Sequence, residues 1–171
     1  MTARPPDSTE RSVQDLFDLS GRRALVTGGA GQGGFGRQIV TALAEAGAEV
    51  IVTSRDTTKA DARAKELRSA GFDVQGLSLD LRDESSIKDA CSTVGAIDIL
   101  FNNASDICLD RVEDVPLEDW NRVIAVNVTG AMLMARTVAP SMLERGRGVI
   151  VNISSIYGVV SPDQRIYGDS G

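Results

Sequence analysis

Six of the nine residues from Gly28 to Gly36 are glycine, and few folds have a use for such a run directly behind a β-rich segment. Arg23-Ala24-Leu25-Val26-Thr27 is that segment, and Ile39 to Ala46 follows with helical spacing up to Gly47. Strand, glycine loop and helix in that order open a parallel α/β unit, where backbone N–H groups at a helix start can meet an anion. Glycine suits the loop because it adopts positive φ without steric cost and lets the backbone approach phosphates. The pattern G-x-G-x-x-G fits twice, at Gly29-Gly31-Gly34 and at Gly31-Gly33-Gly36, so the strand and helix around it carry the weight. A plain flexible turn fits the same run. A phosphate loop of the NTPase kind does not, since no Gly-Lys-Ser/Thr closes it.

The rest of the chain repeats the alternation. Glu49 to Thr53 predicts a second strand, Lys59 to Ala70 a charged helix closing at Gly71, and Phe72 to Leu79 a third strand. Asp83 to Thr93 predicts a short helix, Ile97 to Phe101 a fourth strand, Leu117 to about Glu144 a long helix entered through Pro116, and Gly148 to Ile153 a fifth strand. Strands alternating with helices of this length need right-handed crossovers, hence an α/β fold with a doubly wound parallel sheet covered on both faces. Residues 1–20 form a polar leader, expected to be flexible, and 21–171 a single domain.

Several functions are excluded by inventory. The net charge of -6 argues against nucleic acid and anionic membrane surfaces. No apolar run is read as approaching the roughly 20 residues of a membrane span, and the leader has no hydrophobic signal core, so a cytoplasmic location is expected. There is no histidine, and the two cysteines, Cys91 and Cys108, lack metal-type spacing, so no metal site is expected. At the end of the second strand, where a carboxylate selects NAD by gripping the ribose hydroxyls, Thr53-Ser54-Arg55 stands instead. A cation beside a hydroxyl accommodates the 2′-phosphate of NADP, so Ser54 and Arg55 predict NADP, with NAD possible. A solvated surface charge is the plain alternative for Arg55.

Taken in order, Thr27-Gly28 with its loop, Leu79-Asp80-Leu81, Asn102-Asn103-Ala104, Asn127 and Asn152-Ile153-Ser154-Ser155 resemble the short-chain dehydrogenase/reductase family, from about Ser20 onward. The resemblance implies a Rossmann fold and an NAD(P)-dependent oxidoreductase of small carbonyls or alcohols, 3-oxoacyl compounds or keto-sugars among them. The family's TGxxxGxG loop is two residues longer here, with five between Gly28 and the Gly34-Phe35-Gly36 turn. By resemblance Gly28, Gly34, Phe35 and Gly36 carry the cofactor's phosphates. Asp80 and Leu81 meet its adenine, side chain first and backbone second, and Asn103-Ala104 pass along its ribose. Ser105 replaces the usual glycine. By position alone Asp80 equally suits the N-cap of the following helix.

The same resemblance divides the chemistry. A Tyr gives the proton, a Lys four residues later lowers its pKa, a Ser positions the carbonyl and an Asn supports a water relay; Ser155 and Asn127 match the last two. Read alone, Ser155 is an ordinary strand-end hydroxyl and Asn127 a packing or helix-kink residue. Tyr167 lies at a suitable distance after Ser155, but Gly171 stands four residues on, and Tyr157 is followed by Ser161. The expectation is therefore a chain truncated before its Tyr-x-x-x-Lys, poor in cofactor binding and inactive alone, with a non-catalytic dinucleotide-binding or dimerising remnant as the alternative. The long helix, with Trp120 and Met132, Met134 and Met142, implies a homo-oligomer in the full-length form.

Overall fold

The structure, a computed structural model, describes residues 12–160. Five strands make one parallel sheet in the order β3-β2-β1-β4-β5: β1 (Arg23–Val26), β2 (Glu49–Ser54), β3 (Val74–Ser78), β4 (Ile99–Asn102) and β5 (Val149–Asn152). Helices α2 (Phe35–Glu45), α3 (Thr57–Ser69) and α4 (Glu84–Val94) connect the first four strands. The expected doubly wound sheet is present, with element ends shifted by a few residues.

Side-chain alternation divides the core. Leu25, Ile51 and Leu100 point to one face, where α4 and the long helix supply Ile87, Ala90, Met134 and Val138. Ala24, Val26, Val50 and Val52 point to the other, against Val40 and Leu43 of α2 and Ala64 and Leu67 of α3. Strand order reverses between β1 and β4, which opens a crevice beyond the carboxyl ends of those strands.

Three features differ from the sequence reading. The described part of the leader contains a five-residue helix, α1 (Val13–Phe17), with a capping box between Ser12 and Asp15. Leu19 then donates its N–H to Ala46 O at 2.8 Å, which ties this segment to the end of α2. The long helix is α5 (Leu117–Ile124) and α6 (Ala131–Glu144) joined by a π-turn at Ala125–Gly130. Gly130 sits against Leu81, where a Cβ would stand 2.7 Å from the Leu81 Cβ. At 28 residues this helix is long and apolar enough to cross a membrane, which corrects the expectation that no run approaches such a length. It covers the sheet instead, burying Leu133, Met134, Val138 and Met142.

Candidate functional site

The crevice is a cleft of about 1170 Å³ running from Ser54, Arg55 and Lys59 across the glycine loop to Asn127, Ser154 and Ser155. All twelve residues expected at the site lie along it: Gly28 and Gly34 of the loop, Phe35 and Gly36 at the start of α2, Ser54 at the end of β2 and Arg55 after it, Asp80 and Leu81 after β3, Asn103 and Ala104 after β4, Asn127 of the π-turn, and Ser155 after β5. One topological rule brings them together, since each follows the carboxyl end of a strand or faces it from the covering helix. Tyr167 and Gly171 lie outside the described residues.

The loop's shape has two causes. Gly28 has φ +67°, and a Cβ there would stand 2.8 Å from the Ala104 Cα; one at Gly36 would meet the Asn103 Nδ2 at 2.3 Å. These two glycines let the loops after β1 and β4 lie against each other. Gly33, at φ +78°, needs glycine for its backbone, but at Gly34, with φ -94°, a Cβ would meet no protein atom within 4 Å, so the protein's own fold does not ask for glycine there. Helix α2 starts at this point with Gly34 as N-cap and no side-chain cap, whereas Asp56 and Asp83 cap α3 and α4 with their carboxylates. Its first N–H groups therefore offer donors to an anion. A pyrophosphate fits this donor set and the open space above it.

Thr27, which the sequence reading used only to place the loop, links β1 to β4. Its buried Oγ1 accepts the N–H groups of Asn103 at 2.9 Å and Ala104 at 3.0 Å, and Asn103 Nδ2 donates to Thr27 O at 2.9 Å. Asn102, named in the sequence only as part of the Asn102-Asn103-Ala104 motif, is a second such link. Buried at the end of β4, it donates through Nδ2 to Asn152 Oδ1 at 2.8 Å and to Ala131 O at 3.2 Å. The doubled Asn-Asn at a strand end was the available signal, because a buried amide must find partners.

Charge is uneven along the cleft. Arg55 is exposed, and Lys59 lies one helical turn further on at the same end; the i, i+4 spacing could have found it. Asp56 is committed to the α3 cap, accepting the Thr58 and Lys59 N–H groups. Asp80 does not cap α4, a role taken by Asp83. Arg82 binds the Asp80 carboxylate instead and holds its pKa below the usual range. Toward the other end, Arg122 pairs with Asp106 and, at 2.9 Å, with Asp119. That pairing lowers the Asp106 pKa and raises that of Arg122. Sixteen residues separate Asp106 from Arg122, so no local pattern announces the pair.

Asn127 meets the same loop. Its Oδ1 accepts the Asp106 N–H at 2.8 Å and its Nδ2 donates to Asp106 O at 2.9 Å, so the side chain clamps the backbone after β4. Ser155 caps a short 3-10 turn, Ile156–Gly158, its Oγ accepting the Tyr157 N–H at 3.1 Å. Both border the cleft, Ser155 with an exposed hydroxyl-bearing side chain.

Comparison with known proteins agrees with the fold. A family model described as short chain dehydrogenase matches residues 22–170. The chain is 39% identical over 157 residues to an uncharacterized oxidoreductase of Thermotoga maritima, covering 89% of this chain and 60% of that one. It is 37% identical to D-threitol dehydrogenase of Mycolicibacterium smegmatis, covering 92% of this chain and 61% of the relative. Among solved structures, gluconate 5-dehydrogenase of Burkholderia cenocepacia in complex with NADP and tartrate superposes with a TM-score of 0.82 at 34% identity, over 90% of this chain and 61% of that one. The chain thus spans about three fifths of the length of these relatives.

Proposed function

Because the chain belongs to the short-chain dehydrogenase family, we propose that it is the cofactor-binding part of an NADP-dependent oxidoreductase acting on a small carbonyl or alcohol. One observation carries the reading: an uncapped helix N-terminus behind a glycine loop, opening on a cleft that runs from a basic end to Ser155 and Asn127. A bound nicotinamide dinucleotide supplies the hydride. The glycine loop and the first N–H groups of α2 hold its pyrophosphate, and Asn103 and Ala104 border its ribose. Arg55, with Ser54 and Lys59, favours the 2′-phosphate of NADP, since all three line the cleft while the neighbouring Asp56, whose Oδ1 caps α3, does not.

At the far end Ser155 holds the substrate oxygen by hydrogen bond, and Asn127 keeps the loop after β4 in place beside it. The proton comes from a phenol in this scheme, for which the resemblance asks a Tyr-x-x-x-Lys. Relatives named for D-threitol and gluconate support a polyol or sugar-derived substrate. Exposed Leu117, Trp120 and Leu143 on the long helix support self-association.

The test has two stages. NADPH is titrated into the full-length protein, and NADPH oxidation against ketones and keto-sugars is then assayed with the same protein. Binding in the first and oxidation in the second, with oxidation but not binding lost in Ser155→Ala, is the expected result. Oxidation untouched by Ser155→Ala contradicts the assigned chemistry, and absence of binding contradicts the whole reading.

A further inference from the structure

The loop after β4 is anchored twice, and the second anchor has a part that the cleft itself does not contain. Thr27 Oγ1 accepts the N–H groups of Asn103 and Ala104, which ties the first two residues to β1. Two residues further on, Asp106 is held by backbone and side chain alike. Asn127 accepts its N–H at 2.8 Å and donates to its carbonyl at 2.9 Å. The Asp106 Oδ1 accepts the Ile107 N–H at 2.9 Å, so the carboxylate also holds the start of the next residue. The same oxygen accepts Nη1 of Arg122. Arg122 comes to this bond already oriented, because its Nε and Nη2 donate to Asp119 Oδ1 on its own helix, at 3.2 and 2.9 Å. The guanidinium fork is thus divided between a carboxylate of α5 and one of the loop. Ser105, Asp106 and Ile107 line the cleft and Arg122 does not. What Arg122 contributes there passes through Asp106.

We propose that Arg122 is a positioning residue for the cofactor: by holding the Asp106 carboxylate it fixes the turn into Ile107, and with it the Ser105–Ile107 wall, before the dinucleotide arrives. This rests on the dinucleotide reading above. The Asn127 clamp fixes only the Asp106 backbone, and the Arg122 bond fixes the side chain that carries the Ile107 N–H. A wall left loose in the free protein has to be ordered when the ligand binds, and that ordering lowers affinity. The Asp106 side chain is 17% exposed and that of Arg122 32%, so solvent screens the pair only in part. Loss of one such charge-assisted bond should weaken the dinucleotide by about fivefold.

The experiment is calorimetric titration of NADPH into the full-length protein as wild type, Arg122→Met, Arg122→Lys, Asp106→Asn and the double variant Arg122→Met, Asp106→Asn. Arg122→Met should bind with wild-type stoichiometry and about fivefold weaker, with Arg122→Lys between, because an ammonium keeps the charge and loses the fork. Removing Arg122 also uncovers a negative charge, and Asp106→Asn separates the two effects. Positioning predicts weaker NADPH binding in Asp106→Asn and a double variant no weaker than Arg122→Met, since the two residues act as one unit. A merely structural role lowers the stoichiometry, as fewer molecules fold, and leaves the affinity alone. Wild-type affinity in Arg122→Met, tighter binding in Asp106→Asn, or losses that add in the double variant overturn the proposal while the cofactor reading stands. Should Arg122→Met not fold, the direction of the Asp106→Asn change decides. A wild type that binds no NADPH overturns the cofactor reading first and the positioning role with it.

Discussion

Two alanine substitutions six residues apart separate the loop's fold from its function. At Gly28 the backbone has φ +67°, and a Cβ would lie 2.8 Å from the Ala104 Cα and 2.9 Å from its Cβ. The left-handed conformation costs an L-residue about 1–2 kcal/mol, and forcing apart two backbones in close contact adds about 1–3 kcal/mol. Gly28→Ala should therefore destabilise by about 2–5 kcal/mol, a large share of a typical domain's stability of about 5–15 kcal/mol. Gly34 has φ -94° and no neighbour within 4 Å of a Cβ. Its replacement by alanine costs only the preference for glycine over alanine at an N-cap, about 1 kcal/mol or less. It does place a methyl group where the pyrophosphate must approach, so NADPH affinity should fall about tenfold or more, equivalent to about 1.4 kcal/mol. Urea denaturation and NADPH titration on both variants supply the numbers. A Gly28→Ala protein as stable as wild type, or a folded Gly34→Ala protein that binds NADPH at wild-type strength, refutes the reasoning.

Other perturbations probe the rest of the cleft. Arg55→Ala should weaken NADPH by about tenfold through loss of one charge-assisted contact and leave NADH nearly unchanged; parallel calorimetry decides, and equal losses for both count against the assignment. Asn127→Ala removes two hydrogen bonds to the Asp106 backbone, worth about 1 kcal/mol each, so hydrogen exchange around Asp106 should quicken while β1 and β2 stay protected. The pH dependence follows in part from Asp80 and Asp106, whose folded-state pKa values lie below the ordinary carboxylate value, as do those of Asp18, Glu66 and Glu84. Groups shifted in that direction bind protons more weakly when folded. Their contribution is present in full above the unfolded pKa and is lost as pH falls through the folded one. The urea midpoint should be level at neutral pH and drop below the ordinary carboxylate range, and an Arg82→Met, Arg122→Met double variant should flatten that drop.

The sheet was legible because its strands alternate with helices at ordinary spacing and its apolar runs are short and β-branched. Val50-Ile51-Val52 reads as a buried strand before any coordinates are seen. Site residues were legible where a topological position selects a residue type: glycine behind β1, a cation after β2, amides after β4. What escaped was set by contacts across sequence. The Asp106–Arg122 pair and the Asn127 clamp join a loop to a helix that no local pattern relates. Gly130, at the end of the π-turn, lies against Leu81, a contact between residues far apart in sequence. Asp80 was read with two possible partners, adenine or a helix start, and Arg82 two residues away was neither. Helix α1 was missed because five residues carry too little periodicity, although Ser12 and Asp15 spell a capping box.

Calorimetric titration of NADPH and NADH into the full-length wild-type protein tests most directly whether this cleft binds NADP. Saturable one-site binding of both, with NADPH the tighter, is the expected result. No measurable binding of either, or tighter binding of NADH, contradicts the NADP reading.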